Sequence, residues 1–174
     1  MAADVLIVYA SKKGSTEQVA RRIGEVLRAQ GLTTAIEPAR EVRDLSGFRA
    51  VLVGGSIYMG RWHHDASRFL RRFRRDLERL PFAVFALGPA KNTSEDYEAS
   101  RHQLDRALGH FPEIDARMTA VFGGVVDREK LRFPFNHMHE IDLRDWGAIR
   151  AWAKRLPIEL DLEFVEHHRE LAPF

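Results

Sequence analysis

Ser11-Lys12-Lys13-Gly14-Ser15-Thr16 gathers three hydroxyls, two ammonium groups and a glycine into six residues, just after an apolar run. That chemistry suits a phosphate. The spacing of Ser15 and Gln18 is that of a capping box, which predicts a helix starting here. The start of a helix offers free amides and a partial positive charge, so an anion binds there readily. Gly14 lets the backbone come close to such a group. Two familiar phosphate loops do not fit: one needs Gly-Lys-Ser/Thr after four spacers, the other three glycines in its first turn. An ordinary capped turn with polar decoration is the competing reading.

Other constellations fall away on spacing. Gly54-x-Ser56 has the beginning of a nucleophile elbow, but Tyr58 stands where that turn needs glycine, so a serine hydrolase is rejected. His137-Met138-His139-Glu140-Ile141-Asp142 lacks a carboxylate two residues after the second histidine, so the sequence predicts no metal. No cysteine is present, which removes disulfides, thiol nucleophiles and cysteine-bound metals, and fits a reducing cytoplasm. His63-His64 either carry protons near a ligand or only begin a helix.

These residues must be held by something. Asp4–Ala10, Thr33–Pro38, Ala50–Gly54, Phe82–Leu87 and Thr119–Gly123 read as strands, several of them apolar throughout. Between them, Thr16–Gln30, His64–Leu80, Thr93–Phe111 and Arg144–Arg155 carry apolar residues at helical spacing. Gly31 is placed to end the first helix, and Leu156-Pro157 to stop the last. This alternation predicts an α/β fold: a parallel sheet covered on both faces, with ligands beyond the carboxyl ends of its strands. The 174 residues suit one domain, with a core over 4–156, an insertion over 126–142 and a tail over 157–174.

Charge and hydropathy narrow the partners. A net charge of +2 does not mark a nucleic-acid binder. No apolar run is long enough to span a membrane, and the first residues lack the pattern of a signal peptide, so a cytoplasmic protein is expected. Arg68, Arg71, Arg72, Arg74, Arg75 and Arg79 crowd one segment. They form either a solvated helix face or a surface drawn to anionic lipid or an acidic partner.

Ser11-x-x-Gly14-Ser15-Thr16 after an apolar first strand resembles the phosphate loop of flavodoxins, which bind FMN. Gly54-Gly55-Ser56-Ile57-Tyr58-Met59-Gly60-Arg61-Trp62-His63 resembles one branch in particular, the flavodoxin-like menaquinone-dependent protoporphyrinogen oxidases. Gly123-Gly124, the insertion and the Trp-bearing last helix resemble that branch too. The resemblance implies a doubly wound five-stranded sheet of order 2-1-3-4-5. It implies FMN phosphate on Ser11, Lys12, Lys13, Gly14, Ser15 and Thr16. The flavin ring would lie between Ser56, Ile57, Tyr58, Met59 and Gly60 on one side and Leu87, Gly88, Pro89 and Lys91 on the other, with Gly123, Gly124 and Val125 nearby. Tyr58 and Trp62 either face the ring or pack beneath the loop.

The function so implied is an FMN oxidoreductase passing electrons from a small molecule, such as a porphyrinogen, to a quinone or similar acceptor. A peripheral position at an anionic membrane would suit it. A non-catalytic electron shuttle and a flavin-free binding module are the alternatives. No side chain is assigned as acid or base. The insertion Val126–Asp142, with Phe133-Pro134-Phe135 at its centre, is either a lid over the flavin or a self-packed loop.

Overall fold

Val5, Leu6, Ile7 and Val8 are all fully buried, which places the first strand, β1 (Val5–Ala10), in the middle of the molecule. Alternate side chains leave opposite faces. Val5 and Ile7 join one apolar layer, while Leu6 and Val8 join the other. A computed structural model describes residues 3–126, 133 and 140–162.

The remaining elements are α1 (Ser15–Ala29), β2 (Thr34–Pro38), β3 (Ala50–Tyr58), β4 (Arg61–Trp62), α2 (His64–Arg72), α3 (Arg74–Leu77), β5 (Phe82–Leu87), α4 (Ser94–Leu108), β6 (Met118–Phe122), β7 (Val125–Val126), β8 (Ile141–Asp142) and α5 (Trp146–Glu159). The main sheet runs β2-β1-β3-β5-β6 with every pair parallel, and β4 hangs antiparallel on β3. With β4 set aside, this is the doubly wound α/β order expected. Ile7 pairs with Ile36 on one side and Leu52 on the other.

One layer is closed by α1 and α5, where Trp152 meets Phe85 and Phe122 edge-on at 6.1 and 5.8 Å. The other is closed by α2 and α4 through Phe69, Leu70 and Leu104. Helix α1 ends as expected. Gly31 takes φ 88°, its amide bonds to Arg28 and that of Leu32 to Leu27, which satisfies the last carbonyls.

Four expectations need correction. Strand β3 does not stop at Gly54 but runs to Tyr58 and folds back as β4. The helix expected over His64–Leu80 breaks at Phe73, which leaves helical geometry with ψ 17°. Ser15 does not cap α1: Gly14 occupies the cap position, and no side chain caps the helix. Pro157 does not end α5, which continues to Glu159. Proline costs one amide there, but Leu156 and Leu160 are both fully buried and hold the last turn on the core.

In the arginine-rich segment, Arg72 donates to the Val42 carbonyl (3.1 Å) and Arg74 reaches Glu113 (4.0 Å). Arg68, Arg71, Arg75 and Arg79 stand on the exposed side. Among the described residues no helix is long and apolar enough to cross a membrane.

Candidate functional site

The ends of β1, β3, β5 and β6 open at one edge of the sheet, where the four segments singled out in the sequence converge. The first turns sharply from β1 into α1. Ser11 Oγ accepts from the Gly14 amide (2.8 Å), and Gly14 takes φ 89°, a conformation that favours glycine. A Cβ at Gly14 would meet nothing within 4 Å, so the space beside it is open. Thr16 is fully buried, and its hydroxyl has no hydrogen-bond partner. An uncapped helix start beside an orphaned hydroxyl is a cradle for an oxyanion. Gln18 takes no part in a cap; its amide oxygen accepts from Arg144. Glu17, the acid in this first turn, is held by Arg21 at 2.7 Å.

The second segment is a hairpin. Met59 (φ 47°) and Gly60 (φ 75°) form its two-residue turn, the doubly positive pattern that matches the twist of paired strands. Ser56 and Ile57 are half-buried, whereas Tyr58 and Met59 are 47% and 77% exposed. The Lys12 ammonium lies 4.9 Å from the centre of the Tyr58 ring. Tyr58 thus offers an aromatic face. Trp62 does not: it is only 4% exposed, packs beneath the hairpin and donates to the Gly55 carbonyl (3.1 Å).

The third and fourth segments are strapped together. The Gly88 amide donates to Phe122 (2.9 Å), and the Gly124 amide to Pro89 (2.8 Å) across a cis Gly88–Pro89 bond. Leu87 and Gly88 are buried, Pro89 is half-buried and Lys91 is exposed. A Cβ on Gly123 would stand 2.1 Å from the Leu143 carbonyl oxygen, so only glycine lets the chain cross there. Val125 belongs to β7, which with β8 forms the stem of the insertion.

Arg144 anchors that stem. Its guanidinium grips both Asp142 oxygens (2.9 and 2.7 Å), reaches Gln18 in α1 and lies 4.8 Å from the Trp146 ring. This hydrogen bonding holds the Asp142 carboxyl below its usual range. Residues 127–132 and 134–139, including Pro134, Phe135 and the His137–His139 segment, lie outside the described residues. Phe133 is described, and is exposed.

His63, expected either to carry protons or to begin a helix, does begin one. Its Nδ1 accepts from the Asp65 amide (3.2 Å), which puts the neutral ring's proton on Nε2, a buried atom without a partner. Burial lowers the His63 pKa, against the opposing pull of Asp65. Asp65 is itself buried, with His64 Nε2 at 3.0 Å from one oxygen and Arg40 Nε at 3.3 Å from the other. The ligand-type atoms of His63, His64 and Asp65 lie within 4.8 Å of one another. A cation gains little there, because the protonated Nε2 cannot ligate and Arg40 already occupies the carboxylate.

Residues 6–140 match the family described as Flavodoxin domain. The chain belongs to this family. Among solved structures it is similar to a cysteine-to-serine mutant of the Pseudomonas aeruginosa flavodoxin, at 21% identity over 90% of this chain and 98% of that one, with a TM-score of 0.58. It is also similar to oxidised flavodoxin 1 of Bacillus cereus (14%, 92% and 98%, 0.58). A third is rubredoxin oxygen:oxidoreductase of Desulfovibrio gigas (16%, 91% and 36%, 0.59). No curated protein matches.

FMN is the cofactor of the flavodoxin domain, and this flavodoxin-family chain has residues that suit it. The open space at Gly14, the uncapped α1 and the unpartnered Thr16 hydroxyl suit the phosphate; exposed Tyr58 suits the ring. The sequence does not point to Arg144, Arg40 or Asp65 and assigns Gln18 to a cap instead; the links between Arg144 and Gln18 and between Arg40 and Asp65 join residues far apart in the chain and leave no local pattern.

Proposed function

We propose that this flavodoxin-family protein is an FMN-dependent oxidoreductase that takes two electrons from a small molecule and passes them to a quinone-like acceptor, with a porphyrinogen as the donor class. The observation that carries the reading is the placement of the insertion stem. It crosses directly over Gly123, continues from Gly124 and is tied by Arg144 to the helix that begins at the phosphate loop. The stem formed by β7 and β8 thus stands beside the place proposed for the flavin ring and supplies one wall of the substrate site. Bound FMN supplies the redox chemistry. The protein's own residues hold the phosphate at Ser11–Thr16, present Tyr58 to the ring and keep the Gly88 and Gly124 loops at a fixed separation.

A second reading, an electron shuttle, draws on the exposure of Tyr58 and Met59, which leaves one edge of the site open to a protein partner. Replacing Arg128–His139 by a short Gly/Ser linker separates the two. Under the enzyme reading FMN stays bound, while porphyrinogen oxidation or quinone reduction falls at least about tenfold, or 1.4 kcal/mol of transition-state stabilisation. A parent protein that turns over neither substrate, yet is reduced by a redox partner, is a shuttle.

A further inference from the structure

Helix α2 shows the solvent one sign of charge. Its exposed residues are His64, Arg68, Arg71 and Arg72, and no acidic or apolar side chain stands among them. At about 100° per residue the four fall within one arc, with Arg68 three or four positions from each of the others. The one acid of the helix, Asp65, is turned inward with 9% of its side chain exposed, and Arg40 Nε lies 3.3 Å from its carboxylate. Arg40 itself is 77% exposed. Further along the same flank Arg72 donates to the Val42 carbonyl (3.1 Å). These two bonds lace the loop after β2 along α2 and add a fourth guanidinium to the arc. The acids nearest in the chain are directed elsewhere. Glu41 acts on Tyr9 together with Glu17 of α1, and Asp44 is engaged by Ser46. Asp76 and Glu78 come after the break at Phe73, where α2 has ended.

We propose that the outer face of α2, with Arg40 beside it, docks on a membrane surface of anionic phospholipid. A protein partner fits this face poorly. The centre of a protein interface is apolar and depleted of charge, and the exposed arc of α2 carries no apolar side chain. A layer of phosphodiester headgroups requires neither a fixed shape nor an apolar centre. It accepts guanidinium groups wherever they fall, two N–H groups to a phosphate, and the attraction accumulates over the arginines. The apolar side of α2 is already taken, since Phe69 and Leu70 are buried in the core, so the helix lies on the headgroups without entering the bilayer. Helix α2 starts directly after β4, so the face begins at the ligand end of the sheet. This goes beyond the oxidoreductase reading and needs no turnover.

The test is co-sedimentation of the FMN-loaded protein with vesicles of mixed phosphatidylglycerol and phosphatidylcholine, against vesicles of phosphatidylcholine alone. At low salt the parent should bind the anionic vesicles and ignore the neutral ones, and high salt should release it. Arg68→Gln and Arg71→Gln should each weaken binding about fivefold, and the pair about 25-fold. Arg40 and Arg72 are left alone because Asp65 and the Val42 carbonyl depend on them. Each single substitution is measured as well, so the result stands if the pair disturbs the fold. The control is Arg150→Gln with Lys154→Gln, two exposed positions on α5, which closes the opposite layer of the sheet. It removes the same charge and should bind as the parent does. A parent that stays in solution with anionic vesicles at low salt overturns the proposal, as do equal losses for the α2 and α5 pairs. Capture by polyglutamate in place of the vesicles would mark a dock for an acidic protein and overturn it too. Binding is read without any substrate, so failure of the enzyme reading in the loop-replacement experiment is a separate result.

Discussion

The Gly124 amide donates to the Pro89 carbonyl at 2.8 Å, so the loops after β5 and β6 meet backbone to backbone at the end of the site proposed for the flavin ring. A Cβ on residue 124 would stand 3.0 Å from that same oxygen and 3.3 Å from Gly88 Cα. Gly124→Ala therefore pushes the two loops apart. Because the disturbance lies at the ring, affinities for FMN and riboflavin should fall together. Fluorescence titration with both flavins checks this, and a loss confined to FMN would contradict it.

Thr16 gives the opposite contrast. Its hydroxyl is buried without a partner, so Thr16→Val should leave the flavin-free protein as stable as the parent, or slightly more so. FMN affinity should drop by about 1.5–3 kcal/mol, the worth of a hydrogen bond to a charged group, with riboflavin little changed. Ser11→Ala should act differently, loosening the Gly14 turn itself. Equal losses for both flavins in Thr16→Val would remove the phosphate assignment.

His63 sets a pH dependence. Burial lowers its pKa in the folded protein, while the unfolded chain titrates near 6.5. The unfolded state then binds more protons as the solution is acidified, so stability is full above about pH 6.5 and is lost as pH falls toward and through the lowered value. His63→Asn, which can still cap α2, should flatten melting temperature between pH 7 and 5. An unchanged slope would place the titrating group elsewhere.

Arg144 is expected to govern the insertion rather than the flavin. Arg144→Met keeps contact with Trp146 but frees Asp142 and Gln18. Trypsin should then cut faster at Arg128, Lys130 or Arg132, while FMN affinity stays near that of the parent. The Asp142 carboxyl is held below its ordinary value of about 3.8, so this effect should not vary with pH above 5, which separates it from that of His63. Unaltered cleavage would mean the stem is held by β7 and β8 alone.

The sheet is readable because β1, β5 and the first half of β3 are short continuous apolar runs, the pattern that burial on both faces demands, while the edge strand β2 is only half-buried. The phosphate loop was readable because its hydroxyls, ammonium groups and glycine are adjacent. The hairpin was not. Ser56-Ile57-Tyr58 carries no clear alternation, and Met59 fills a turn position that asparagine or aspartate usually signals. Ser15 and Gln18 have the spacing of a capping box, but Gly14, with its left-handed backbone, takes the cap position itself. The sequence is compatible with Trp62 at the ring or in the core, and only its neighbours Gly55 and Ala66 decide for the core.

The continuation of α5 past Pro157 bears on where this domain can be cut. Leu160 and Leu162, beyond the proline, are 0% and 1% exposed and belong to the same layer as Val5, Ile7 and Trp152. Trimming the chain at Leu156, the boundary a proline rule suggests, would strip two leucines from the underside of the sheet at about 1.5–3 kcal/mol each. A fragment meant to fold by itself should therefore keep every residue through Leu162, and a fusion joint belongs after that leucine.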